Sequence, residues 1–581
     1  MALSQPDIIK PVIYQILPRL AGNLNTANIP FGSIEENGCG KFNDLSDRFL
    51  EEIKKTGATH IWLTGTLEHA SCTDYSQYGI PKGNPLVIKG IAGSPYAIRD
   101  YYDVCPDLAV NVENRMQEFE ALIKRCHDKG LGPIIDFVPN HVARQYHSDK
   151  KPSRVEDFGV KDKKELNFSP ANNFYYLPRQ MLKLPQEAHQ LPYTLNSSPY
   201  EENPARASGN DLFNNSPGFF DWYDSVKLNY GVDFQNNLQK HFEPIPDTWQ
   251  KMLEILFYWA EKKVAGFRCD MAEMIPVEFW KWAIGKVREK HPEILFIAEI
   301  YKPGAYFDFR DKAGFNYLYD KEGMYNCLRS VLKGEKPAAC ITEVWQELGY
   351  LNDHMLRFIE NHDEQRIASR QFAGNPRAGI PAMGVCALMH RGPVMLYFGQ
   401  EFGEPAEGTA GYSGDDGRTT IFDYFSVPAF QRWFNNGQCN QEKLSKEEKE
   451  LYTFYRILFD LCQDPVISRG HFYDLMWYNR RSKYFDESYL YCFCRWDNNK
   501  NWLIVVNFHS EKSFHSNIRI PAHYWETTGK PHDCQIRLER IMGEKQETLL
   551  VHKKQCINEG IKLSLSPYSV LIINLKESLK T

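Results

Sequence analysis

The sequence predicts an α/β fold: a closed (β/α)8 barrel with an inserted subdomain after the third strand and a C-terminal all-β sandwich. Three observations carry this reading. Short apolar runs alternate with segments of helical period. Carboxylates stand at the ends of three of these runs. After Asp464 the alternation gives way to short strands without intervening long helices.

The first strand is read at Val12-Ile13-Tyr14-Gln15-Ile16. A helix from Leu45 to Lys55 leads into Thr59-His60-Ile61-Trp62-Leu63. Met116, Phe119, Leu122, Ile123 and Cys126 keep helical spacing, Gly130 ends that helix, and Gly132 to Val138 follows as a strand. Leu253, Leu256, Phe257 and Ala260 repeat the pattern before the run from Val264 to Asp270. Phe279, Trp282, Ala283 and Val287 repeat it before Ile294 to Glu299. The run from Met355 to His362 precedes Asp363, and Pro393 to Phe398 reads as a late strand. Helices alternating with strands imply a parallel sheet covered by helices, and the count is compatible with eight strands.

The rhythm breaks in a stretch rich in Asn, Pro, Ser and Tyr that is too long for an ordinary loop. The expected division is 1–142 with 230–465 as barrel, 143–229 as inserted subdomain and 466–581 as sandwich. A capping box at Ser445–Glu448 opens a helix through Cys462. The sandwich strands are read at Tyr489–Phe493, Trp502–Val506, Asn517–Ile520 and Ser569–Ile573.

Composition narrows the function classes. The chain of 581 residues is 43% hydrophobic and 24% charged, enough for a globular core. A net charge of −6 gives no bulk signal for nucleic acid or an anionic membrane. No run is long and apolar enough for a transmembrane helix, and Met1 to Lys10 lacks a secretory pattern, so a cytoplasmic location is expected. The 14 cysteines show no zinc or redox spacing and are read as reduced thiols, Cys269 as a strand filler. No P-loop or strand-linked glycine fingerprint supports nucleotide chemistry.

Asp270, Glu299 and Asp363 are the catalytic candidates. A charge at the lip of a buried strand costs desolvation energy unless it is paired or used. Two carboxylates at one cleft suit glycoside hydrolysis with retention, one as nucleophile and one as acid/base. Arg268 precedes Asp270 by two positions, hence shares its face, and is expected to keep Asp270 ionised. Phe296, Ile297 and Ala298 suggest an apolar setting that holds a proton on Glu299. His141 and His362 are candidate donors to sugar hydroxyls.

Four segments in order carry a resemblance: Asp136-Phe137-Val138-Pro139-Asn140-His141, Gly266-Phe267-Arg268-Cys269-Asp270, Ala298-Glu299 and Phe358-Ile359-Glu360-Asn361-His362-Asp363. The chain resembles the α-amylase superfamily, glycoside hydrolase family 13, from about Tyr14 to Glu401. The resemblance implies Asp270 as nucleophile, Glu299 as acid/base and Asp363 as transition-state stabiliser. It further implies Tyr96, His141, Arg268 and His362 around the sugar, with Asp136 as structural partner of Arg268. The substrate implied is an α-glucosidic, usually α-1,4, linkage of a starch, glycogen or maltooligosaccharide chain. No nucleic-acid or membrane partner and no organic cofactor are expected.

Asn140 and Asp233 match calcium positions of the family, so Ca²⁺ is an expected metal. Glu273 and Met274 depart from the family's Lys-His pair after the nucleophile, which leaves the leaving-group side open. Two alternatives follow: a transglycosylase or isomerase with the same covalent intermediate, including trehalose-type chemistry, and a non-catalytic glycan-binding relative.

Overall fold

The computed structural model describes residues 10–408, 411–529, 534–543 and 550–578. Eight parallel strands form the barrel: β1 Val12–Ile16, β2 His60–Leu63, β3 Gly132–Phe137, β4 Gly266–Cys269, β5 Leu295–Ala298, β6 Tyr317–Tyr319, β7 Met355–Leu356 and β8 Val394–Tyr397. They run in the order β7-β6-β5-β4-β3-β2-β1-β8. A parallel bridge from Arg357 to Val394 joins the two ends and closes the ring. Closure leaves no sheet edge to protect.

Outside lie α1 Asp47–Lys55, α2 Arg115–Asp128, α3 Asp247–Glu261, α4 Val277–Lys290, α5 Cys340–Leu348, α6 Gly379–Leu388 and α7 Lys446–Cys462. Sequence chemistry sets their ends. Ser46 caps α1 through the Phe49 amide, and Ser445 and Glu448 form the reciprocal cap of α7. Each strand buries both faces, which is why the barrel runs are continuously apolar rather than alternating.

The barrel interior holds a separate apolar cluster of Ile13, Trp62, Ile134, Ile297, Leu356 and Met395, among others. Side chains alternate along a strand, so the next inward positions after Ile13 and Ile134 are Gln15 and Asp136. Arg268 pairs in register with Asp136 on β3. The inner wall thus changes from apolar to polar toward the C-terminal ends of the strands, where barrel sites are built.

Three long excursions stand over that end. After β2 the chain makes an antiparallel pair, Leu67–His69 with Ile98–Val104. After β3, His141–Ala143 pairs with Ser225–Lys227, so the intervening segment leaves and returns side by side. Its helical content is confined to 3₁₀ turns, Gln186–Gln190 and Pro192–Thr194. A buried ion network replaces regular elements there. Arg144 contacts Glu202 at 2.8 Å and the Ser208 hydroxyl at 2.8 Å, and Arg206 reaches Glu202 at 2.6 Å. The third excursion follows β8 and brings Ile421 and Phe422 over the barrel mouth.

Beyond α7, β9 His471–Asp474, β10 Leu490–Trp496, β11 Asn501–Asn507, β12 Phe514–Ile518, β13 Gln535–Met542, β14 Leu550–His552, β15 Ile561–Leu565 and β16 Ser569–Ser578 build an all-β unit. Six of them form one antiparallel sheet and β12 pairs with β15. All 14 cysteines are free thiols. Among the described residues no helix is long and apolar enough to cross a membrane.

Candidate active site

Asp270 follows the last residue of β4, and its amide donates to the Phe137 carbonyl at 2.8 Å, extending the ladder by one step. Glu299 does the same beyond β5, donating to Cys269 at 3.1 Å. Both side chains converge on Arg268. Its Nη1 donates to Asp270 Oδ1 at 2.7 Å, and its Nη2 lies 2.8 Å from Glu299 Oε1. The second is a charge contact, since Nη2 does not aim a hydrogen at that oxygen. Asp136 Oδ1 accepts from the same guanidinium at 3.4 Å, and its other oxygen accepts from the Trp62 indole at 3.2 Å. Arg268 also lies against the rings of Trp62 and Tyr96, its carbon 5.2 and 5.3 Å from their centroids.

Electrostatics differ from the expectation at two positions. Burial first, then the nearby Glu299 charge, pushes the Asp270 carboxyl up, with Arg268 opposing. Arg268 alone therefore does not keep Asp270 ionised, because its guanidinium is shared with Glu299. Glu299 is also not in an apolar wall. Its Oε2 accepts from the Met271 amide at 2.7 Å and its Oε1 from the Tyr301 hydroxyl at 2.6 Å. Met271 reaches that carboxylate because its backbone is left-handed, φ +42°, a conformation that β-carbon-bearing residues adopt under tertiary constraint.

Asp363 is not at a strand end. β7 spans Met355–Leu356, and after the Arg357 bridge to Val394 the chain leaves the sheet, while the Arg357 side chain donates to the Asp320 carboxylate at 3.0 Å and the Asn352 side-chain oxygen at 2.7 Å. A loop then carries Asp363 to the mouth, with its side chain 39% exposed and 3.1 Å from His362 Nε2. The Tyr96 ring stacks on His362 at 5.3 Å and bonds it through the hydroxyl, while Gln15 holds the other ring nitrogen at 2.7 Å. Burial, then Arg268, lowers His362 to about 3, so the ring is neutral. His141 is likewise held at about 3 by burial and Lys227, and packs against Trp222 at 4.9 Å.

Asp270, Glu299, Asp363, Tyr96 and His141 border one cavity of about 220 Å³. Tyr301, Trp222, Lys89, Asp224 and Phe422 line it too and went unread in the sequence. Tyr301 had a local signal, two residues past Glu299. The others come from the excursions, and Lys89 meets Asp224 at 3.2 Å across two of them. Within the first excursion, Gly93 lets the backbone pass close to Ala70. It has φ +75°, and a β-carbon there would fall 1.7 Å from the Ala70 carbonyl.

Asn140 does not present a free oxygen to a calcium shell. The Lys227 ammonium bonds Asn140 Oδ1, lies 2.6 Å from Asp211 Oδ1 and points to the Met274 carbonyl at 3.4 Å. The Asp233 carboxylate accepts from the Gln235 amide at 3.0 Å. A cation already stands on Asn140 as a side chain. Glu273 has its own use: it accepts from the Tyr301 amide at 2.9 Å, fixing the loop that presents the Tyr301 hydroxyl.

A closed parallel barrel with carboxylates gathered on one arginine at its C-terminal mouth defines a class of (β/α)8 barrel protein with a polar cleft at that mouth. Comparison with known proteins narrows the class. The family model described as Alpha amylase, catalytic domain, matches residues 15–467, and the chain belongs to this family. It is 23% identical over 369 residues to alpha-amylase MalA of Haloarcula japonica, covering 62% of this chain and 41% of that protein. The chain thus spans less than half of that relative. Alpha-amylase 3 of Dictyoglomus thermophilum is 22% identical over 458 residues, 74% of each chain. In fold, the chain is similar to the alpha-amylase of Geobacillus thermoleovorans complexed with acarbose, at TM-score 0.62, 17% identity and 99% and 100% coverage. It is also similar to the maltogenic alpha-amylase AmyB of Thermotoga neapolitana, at TM-score 0.59, 18% identity and 98% and 99% coverage.

Proposed function

We propose that the protein is a retaining α-glycoside hydrolase acting on α-glucosidic, chiefly α-1,4, linkages of glycogen-, starch- or maltooligosaccharide-type chains. The single observation behind this reading is the shared guanidinium: Arg268 lies 2.7 Å from Asp270 and 2.8 Å from Glu299. A retaining mechanism needs one carboxyl as acid and one as nucleophile, and this pair offers both. Asp270 Oδ attacks the anomeric carbon while Glu299 gives its proton to the departing glycosidic oxygen. Glu299 then takes a proton from water, whose oxygen displaces Asp270 and restores both groups. Asp363 and His141 hold the hydroxyls of the ring being transferred, and His362, occupied at both ring nitrogens, positions Tyr96 and Asp363.

Asp270→Asn, folded by circular dichroism, is expected to lower turnover of maltooligosaccharides roughly 10³-fold or more. The first product released by the wild type is expected as the α-anomer by proton NMR. A β-anomer, or an active Asp270→Asn enzyme, removes the reading.

Glucosyl transfer is the second reading, and Glu273 favours it. Where a cation is expected on the leaving-group side, Glu273 is bound into the Tyr301 loop. A cyclomaltodextrin glucanotransferase of Geobacillus stearothermophilus is 23% identical over 425 residues, 69% of this chain and 50% of that one. Product profiles on maltoheptaose separate the two: chains longer than the substrate mark transfer.

A further inference from the structure

A second groove, of about 940 Å³, lies where α5 of the barrel meets β9 and the short helix Met476–Asn479 of the all-β unit. None of its lining residues lines the catalytic cavity. Its two walls are tied together. Ala338 and Ala339 donate to the Ser488 and Glu487 carbonyls at 2.9 and 3.1 Å, and the Thr342 hydroxyl reaches Tyr491 at 3.1 Å.

The lining is amphipathic in a particular way. Trp477 is 53% exposed and is the only tryptophan among the large exposed hydrophobic side chains of the described residues. An indole left in water forfeits much of its burial energy. Trp345 and Phe472 pack edge to face at 5.1 Å beneath the groove, and the Tyr473 hydroxyl is held by His523 at 3.0 Å. Acceptors and donors alternate with these rings. Asp474 is 8% exposed and caps Met476 at 2.8 Å, while Glu343, Arg480, Lys336 and Gln346 stand around the rim.

This chemistry selects an occupant. A pyranose presents an apolar face of C–H groups and a girdle of hydroxyls, matching a ring platform bordered by carboxylates, a guanidinium and an amide. A nucleic acid calls for a cationic surface, and here Lys336 and Arg480 are balanced by Glu343 and Asp474. A lipid tail gives those four charges no partner.

We propose that this groove binds an α-glucan chain at a second, non-catalytic site with Trp477 as its stacking platform. The proposal rests on the α-glucan reading of the catalytic cavity. Holding one stretch of a long chain here raises the effective concentration of the remainder at the barrel mouth without new contacts there.

Isothermal titration of the full-length Asp270→Asn protein with maltoheptaose tests this. Two binding sites are expected, and Trp477→Ala in that background is expected to leave one, its lost site weakened about tenfold or more, as for truncation of an aromatic anchor. In the active enzyme, Trp477→Ala is expected to raise KM for glycogen and leave kcat/KM for maltotriose unchanged. Trp477→Phe, which keeps a ring, restores part of the second site and guards against a folding artefact. One site in the parent protein, or two undiminished sites in both Trp477 variants, overturns the second site alone. No binding of maltoheptaose anywhere overturns it together with the α-glucan reading.

Discussion

At the scale of the residue, the site works by sharing. Arg268 serves Asp136, Asp270 and Glu299 together, so no carboxylate there has a private counter-charge. Asp270 illustrates the cost. Its folded carboxyl is raised above the ordinary 3.8 by burial and Glu299, so ionisation is disfavoured in the folded state. The resulting destabilisation is present at neutral pH and fades as pH falls through the folded value toward 3.8. Asp270→Asn is therefore expected to raise the melting midpoint at pH 7, with a gain that shrinks on acidification; a lower midpoint at pH 7 contradicts this account. Tyr301 is the residue the motif reading passed over. Tyr301→Phe removes a donor to a carboxylate, a contact worth about 10- to 100-fold in rate. The alkaline limb of the kcat/KM profile is expected to move to higher pH, and a loss of rate with an unmoved limb assigns Tyr301 to packing alone.

At the scale of the element, two charged clusters do the work of regular structure. In the excursion after β3, burial works against Glu202, yet Arg206 and Arg144 hold its carboxyl at about 2 against an ordinary 4.5. A depressed carboxyl contributes stability above 4.5 and loses it as pH falls toward 2. The stability gap between wild type and Glu202→Gln, read by urea titration, is expected to be constant above pH 5 and to close below it. Lys227 is the second device. Lys227→Met strands Asn140 and Asp211 and is expected to cost about 3 kcal/mol, the scale of breaking a buried pair. A chelator is expected to leave the wild-type midpoint unchanged, and a fall on chelation shows that a metal carries that contact.

At the scale of the whole molecule, Arg495 of β10 joins the all-β unit to the barrel. Its guanidinium, fully buried, donates to the Leu388, Met389, Ile467 and Gly470 carbonyls at 2.7–3.2 Å. Burial lowers it to about 9, still charged at neutral pH. Arg495→Leu leaves those acceptors dry and is expected to cost roughly 3–5 kcal/mol by calorimetry. Maltotriose turnover at low temperature is expected to stay intact, because Arg495 is not among the residues lining the catalytic cavity.

The strands β1 to β5 and β8, the helices between them and the carboxylates Asp270 and Glu299 were legible in the chain itself. Each buried strand needs an unbroken apolar run, and each charge at its end stands out against that run. β6 is too short to register as a run, and the run read from Met355 to His362 is strand only over Met355–Leu356, which leaves Asp363 on a loop. What only the tertiary structure decided is the company each charge keeps. Lys227 on Asn140, Tyr301 on Glu299, Lys89 beside Asp224 and Phe422 over the mouth join segments far apart in sequence or related by no periodicity. Hydrophobic periodicity is a local property of the chain, so it reveals the elements. The energy of a buried charge depends on groups brought by distant loops, so partners and protonation, including the Lys227 ammonium on Asn140, emerge only when the chain is closed.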